Sequence, residues 1–88
     1  MATQTNYHVD FTTKGEPAFK AHSTEPTVIS DLVNGYIHAR ENRVIRGDER
    51  GAINQVIADL YADCVPDGMP LAVDLTTEWR IVLWVRTN

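Results

Sequence analysis

Two histidines and one aspartate in the first quarter of the chain could hold a metal ion or share a proton. If their segments pair as antiparallel strands, His8 and His22 face each other with Cβ atoms about 4.5–5.5 Å apart. Tetrahedral zinc takes four ligands, and Asp10 is the only nearby carboxylate on the strand. We therefore expect two solvated histidines and no bound metal, with a small metal protein built on His8 and His22 as an alternative.

An arginine-rich segment is the second group that could do chemistry. Half of the basic residues lie within eleven positions, namely Arg40, Arg43, Arg46 and Arg50. An arginine ridge could bind phosphate or an acidic partner, but the interleaved carboxylates Glu41, Asp48 and Glu49 cancel most of its charge. We expect a solvated, salt-bridged surface here, and direct nucleic-acid binding through this basic patch is the alternative.

No motif in the sequence has the spacing of a catalytic site. Cys64 ends an apolar helical stripe, and nothing in the sequence supplies a base or lowers its pKa. Glycine-rich phosphate loops, serine nucleophile motifs and Cys-x-x-Cys pairs are absent from the sequence. We therefore expect a protein that is not an enzyme, with no catalytic residue and no cofactor.

The elements that position these residues begin with two hairpins. Apolar residues alternate with polar ones around His8, which predicts a half-buried strand. A three-residue loop over 14–16 then places Phe11 opposite Phe19 and Asp10 opposite Lys20, which would form an ion pair.

The second hairpin follows from the same parity argument. Alternating residues over 71–75 and 79–86 predict two strands joined by a turn over 76–78. Leu75 then faces Trp79, Leu71 faces Leu83, and Asp74 meets Arg80 on the far side of the sheet.

Two amphipathic helices lie between the hairpins. For the first helix we expect Thr24 as N-cap and Pro26 in the first turn, and for the second helix Asp48 as N-cap. The predicted apolar stripe of the first helix is Ile29, Leu32, Val33, Tyr36 and Ile37. That of the second is Ile53, Val56, Ile57, Leu60, Tyr61 and Cys64.

These elements predict one small domain over residues 1–88 with an α+β fold. The chain order is ββααββ, and a four-stranded, mainly antiparallel sheet carries both helices on one face. The last strand is apolar on both faces, so we place it inside the sheet and expect the strand order 2-1-4-3.

The uncovered sheet face is the surface on which we expect a partner protein to bind. Its predicted binding residues are Trp84, Val82, Arg80, Arg86, His8 and His22. Tryptophan flanked by arginine is typical of interface hot spots. Alternatively, Trp84 only covers its neighbours, with Arg86 stacked on its ring.

The composition and net charge limit the classes of protein to which this chain can belong. The 88 residues have a formal net charge of −4, with 43% hydrophobic and 23% charged residues, as in an ordinary globular domain. Nucleic-acid binders need a positive excess, so we consider direct binding of nucleic acid unlikely. Without a basic, apolar leader or a long apolar stretch, we expect a cytoplasmic protein with no membrane partner.

The leading hypothesis is a small non-enzymatic interaction module that binds another protein. Small acidic domains of this kind include inhibitors of nucleic-acid enzymes, immunity proteins and phage-encoded blockers of host defence, so a phage or mobile-element origin fits. This comparison rests on size and charge alone. The residues also permit a homodimer, but we slightly favour a monomer that keeps the open face for a different protein.

Overall fold

The fold is α+β, with four antiparallel strands in one sheet and two helices in the order ββααββ. A computed structural model describes residues 4–41 and 46–87. The strands are β1 (Thr5–Thr13), β2 (Phe19–Ser23), β3 (Leu71–Asp74) and β4 (Trp79–Thr87), and the helices are α1 (Pro26–Glu41) and α2 (Gly47–Asp63). The strand order β2-β1-β4-β3 confirms the predicted fold class and topology.

Both hairpins have the predicted register. Phe11 pairs with Phe19 and His8 with His22 across β1 and β2. Leu71 pairs with Leu83 across β3 and β4. The backbone N–H of Leu75 also donates to the carbonyl of Trp79 at 2.8 Å, as the predicted turn requires. A short loop and a one-sided apolar pattern were therefore sufficient to set each register.

The hydrophobic core lies between the sheet and the two helices. Apolar side chains of β1 and β4 alternate inward, and Phe11 packs edge to face against Tyr36 of α1. The buried hydrophobic residues are Val9, Phe11, Ile29, Val33, Ile37, Ile53, Ile57, Tyr61, Ile81, Leu83 and Val85. The Tyr61 hydroxyl donates to the backbone carbonyl of His8 at 2.9 Å, which ties α2 to the middle of β1.

The predicted N-caps are wrong in both helices. The residue before α1 is Glu25, whose backbone N–H donates to the Ser23 hydroxyl, so Thr24 is not the cap. The N-cap of α2 is Arg46, which forms no side-chain cap hydrogen bond. Asp48 lies inside the first turn of α2, where its charge favours the positive end of the helix dipole.

The buried stripe of α1 also differs from the prediction. Leu32 is 40% exposed, whereas Asn34 is only 1% exposed. The Asn34 amide donates to the carbonyl of Ser30 and to the side-chain oxygen of Asn54, both at 2.8 Å. These hydrogen bonds offset the free-energy cost of burying the amide NH2 group of Asn34, whereas its side-chain oxygen is buried without a partner in the described part of the chain. Val56 and Leu60 of α2 and Cys64, which follows its last residue, are half-buried rather than buried.

Gly35→Ala tests whether the side of α1 at Gly35 is open to solvent, as the structure shows. Gly35 is exposed in the middle of α1, and an added Cβ would meet no atom within 4 Å. We expect the free energy of unfolding to rise by about 1 kcal/mol, because alanine favours a helix interior over glycine by that amount. Urea denaturation of the variant and the wild type measures the difference.

Gly15→Ala is the matched control. Gly15 lies in the β1–β2 turn with a φ of 80°, a conformation that costs a residue with a side chain about 1–2 kcal/mol. We expect this variant to be less stable than the wild type. A Gly35→Ala protein that loses stability as well would contradict the open surroundings of Gly35.

Candidate interaction surface on the open sheet face

The sheet face opposite the helices is the surface on which the predicted binding residues lie. The alternation of β1, β2, β3 and β4 places on this surface, hereafter the open face, the side chains of His8, Asp10, Thr12, Lys20, His22, Ala72, Asp74, Arg80, Val82, Trp84 and Arg86. All of them are half-buried or exposed. The structure thus gathers the six predicted binding residues on one surface, and their role in binding stays a prediction.

Three aromatic rings form a row across the open face. The β1–β4 register pairs His8 with Trp84, and their rings stack with centroids 5.2 Å apart and planes within 7°. On the other side of His8, the His22 ring lies at 5.4 Å with its plane tilted by 32°. In the alternative interpretation Arg86 stacks on Trp84, whereas the structure shows the His8 ring stacked on it.

The electrostatics of the row favour a neutral His8. Partial burial, followed by the nearby His22 and Arg86, lowers the pKa of His8 below its ordinary value, while Asp10 acts in the opposite direction. An imidazole that stays neutral keeps its place between two other rings without adding a positive charge beside Arg86.

Charged side chains of both signs surround the rings. Asp74 and Arg80 approach to 3.8 Å, but both side chains are largely exposed, so their ion pair contributes little to stability. Asp10 and Lys20 are paired in register as predicted. The expected ion pair between them is not among those formed in the described part of the chain, because an exposed lysine gains little by being held in one geometry.

A loop with two exposed apolar residues lies beside the end of β4. The backbone N–H of Asp67 donates to the carbonyl of Val85, and the Asp67 carboxylate accepts hydrogen bonds from the backbone and hydroxyl of Thr87. These bonds hold the segment 64–70 beside β4. Val65 is 68% exposed and Met69 is 85% exposed. Neither residue was predicted to be functional from the sequence, although each is an apolar residue directly before a proline.

The arginine segment does not form a free ridge in the described residues. Arg40, in the last turn of α1, makes an ion pair with Glu16 of the β1–β2 turn. Arg46 lies 3.7 Å from Asp48, and Arg50 is exposed in the first turn of α2. Arg43 lies outside the described residues. Two of the four predicted cations therefore have acidic neighbours, and nucleic-acid binding by this patch stays a prediction.

The other chemical groups of the sequence form no metal or nucleophile site in the described ranges. No group of three histidine, cysteine or acidic side chains capable of holding a metal occurs within 4–41 and 46–87. Burial and the nearby Asp63 raise the pKa of Cys64, and its thiol is 3.8 Å from the carbonyl of Leu83. A raised pKa keeps the thiol protonated, the opposite of what a nucleophile needs.

Comparisons with protein-family models, with curated proteins and with solved structures found no match to this chain. Within the described residues, neither α1 nor α2 combines the length and apolar character needed to cross a membrane.

The surroundings of His8 predict its titration. We expect NMR titration of the ring protons to give His8 a pKa below about 6.5. Asp10→Asn should lower that pKa further because it removes a stabilising negative charge, whereas Arg86→Gln should raise it because it removes a positive one. Equal pKa values in all three proteins would contradict the placement of His8 beside these groups.

The lowered pKa of His8 also determines whether stability rises or falls with pH. Because the unfolded chain binds the His8 proton at higher pH than the folded chain does, protonation of His8 favours unfolding. We expect the free energy of unfolding to fall as pH drops from about 6.5 to the lower pKa of the folded state. His8→Phe keeps a ring in the row and should remove this part of the pH dependence.

Proposed function

We propose that this protein is a small non-enzymatic interaction module that covers a site on a partner protein with its open face. The observation that carries the proposal is the row of rings from His22 through His8 to Trp84 on the sheet face opposite α1 and α2. A sheet face that contacts only water usually carries polar residues. This face instead carries Val82 and Trp84 at its centre.

The composition of the open face supports a protein partner. Tryptophan and arginine are enriched among the few residues that dominate binding energies, and Arg80 and Arg86 flank Trp84 on the same strand. The Trp84 ring is already stacked on His8 before any partner binds. Ordering it therefore costs little conformational entropy on association.

The net charge of the whole protein and the charges of the open face have different roles in binding. The open face carries three cations against two carboxylates, Asp10 and Asp74, so the overall charge of −4 comes from the other surfaces. A net negative charge attracts a basic partner over long range, and mixed charges at the contact select the correct one.

We propose an inhibitor because the expected partner is positively charged. Proteins that handle nucleic acid present basic grooves, and many host-defence complexes do so as well. We propose a blocker of such a complex, of a kind encoded by phages or mobile elements, on the analogy of size and charge. The proposed module acts as a monomer in the cytoplasm.

Trp84→Ala is the variant that tests this function. A hot-spot tryptophan contributes at least about 2 kcal/mol, so its loss should weaken partner binding by about 30-fold or more. We would identify proteins retained by the immobilised wild type and measure their binding to each purified variant by calorimetry. Leu32→Ala is the control, because it removes an exposed apolar side chain from α1 instead of the open face.

The proposal predicts partners that bind the wild type and Leu32→Ala but lose affinity for Trp84→Ala. Equal affinities for all three proteins would exclude the open face as the contact surface. A low-salt gel shift addresses the alternative: nucleic-acid binding that declines steeply with salt and requires Arg50 would replace the proposed function with direct binding.

A further inference from the structure

A cleft between the two helices is independent of the open face. It has a volume of about 670 Å³ and lies between the first half of α1 and the part of α2 from Gly51 to Ala62. Small-molecule sites usually fall between about 300 and 1,000 Å³, so this cleft has a suitable size. Because the helices cover the opposite side of the sheet, a molecule in the cleft would not touch Trp84.

The floor of the cleft is aromatic and aliphatic. Tyr7 of β1 and Tyr61 of α2 meet edge to face with centroids 5.1 Å apart, and Ile57 lies beside them. On the α2 side, the lining residues are small, since Gly51 has no side chain and Ala58 has only a methyl group, and this leaves the space open. This floor fits a flat apolar ring.

Polar groups without partners lie above the floor. Ser30 lines the cleft and is 9% exposed, yet within the described ranges its hydroxyl forms no hydrogen bond. Asn54 accepts the Asn34 amide through its side-chain oxygen, which leaves the Asn54 amide N–H groups without a partner in the same ranges. Both groups remain accessible to water, so each can form a hydrogen bond with a ligand that enters the cleft.

The charge of the cleft determines what kind of ligand fits. Asp31 lines the exposed rim, and no ion pair engages it among the described residues. None of the described residues that line the cleft is lysine, arginine or histidine. The cleft therefore attracts a cation and repels phosphates and carboxylates.

We propose that this cleft binds a small aromatic amine. The aromatic ring lies against Tyr61 and Ile57, and the ammonium group faces the carboxylate of Asp31. Ser30 and Asn54 supply hydrogen bonds between these two ends. The proposal names a ligand site in addition to the open face and does not depend on the proposed function.

A matched series of three probes tests the charge and the ring separately. Benzylamine, benzyl alcohol and benzoate share one ring and differ in charge. In ¹H–¹⁵N NMR titrations of the full chain, we expect benzylamine to give saturable shifts at the amides of Ser30, Asn54 and Ala58. Benzyl alcohol should bind at least threefold more weakly at the same residues, and benzoate should not bind there.

Variants of the lining residues complete the test. Asp31→Asn should reduce benzylamine affinity to that of benzyl alcohol, and Ala58→Trp should abolish both by filling the cleft. Ala62→Leu fills the same cleft with a smaller side chain if Ala58→Trp does not fold. Trp84→Ala should leave benzylamine binding unchanged, which separates this site from the open face.

Three results would overturn the proposal. These are shifts that do not saturate or that scatter over the surface, benzoate affinity equal to that of benzylamine, and benzylamine binding that survives in a folded cleft-filling variant.

Discussion

The antiparallel pairing of β1 with β4 is the constraint on which the rest of the structure depends. It runs over nine residue pairs, from Thr5 opposite Thr87 to Thr13 opposite Trp79. One alternating set of these residues forms the sheet side of the core, and the other set forms the centre of the open face. A slip of one residue in either strand would move its apolar side chains from the core to water. The core and the proposed contact surface are therefore determined by the same register.

His8 shows how closely the two sides of the sheet are connected. Its side chain lies in the ring row on the open face, while its backbone carbonyl accepts the hydrogen bond of Tyr61 from α2. Tyr61 in turn contacts Tyr7 and lines the helix cleft. Burial raises the pKa of Tyr61, so its hydroxyl remains a donor at neutral pH. The open face and the cleft thus share β1 as their common support.

The sequence was sufficient to predict those features that are determined by short loops and by the alternation of apolar and polar residues. Parity alone predicted that His8 pairs with His22 and Asp74 with Arg80, because neither hairpin can change register without exposing its apolar side chains. The members of the open face follow from the same alternation. The stack of His8 on Trp84 was not predicted, because β1 and β4 are separated by both helices and no loop length limits their register.

Features that depend on helix packing could not be predicted from the sequence. Leu32 fits the apolar spacing of α1, yet Asn34 occupies the buried position because Asn54 of α2 lies within hydrogen-bond distance. The helix starts were wrong for a local reason. Two residues able to cap a helix, Ser23 and Thr24, are adjacent, and Asp48 favours the first turn about as well as the cap.

The β1–β4 register can be tested directly by nuclear Overhauser effects in the free protein. The account predicts contacts between the ring protons of His8 and the indole protons of Trp84, together with contacts between the backbones of Val9 and Leu83. The His8 ring protons should also shift upfield because they lie over the indole ring. Contacts that pair His8 with Leu83 or Val85 instead would show a different register and would contradict both the core and the open face described for this protein.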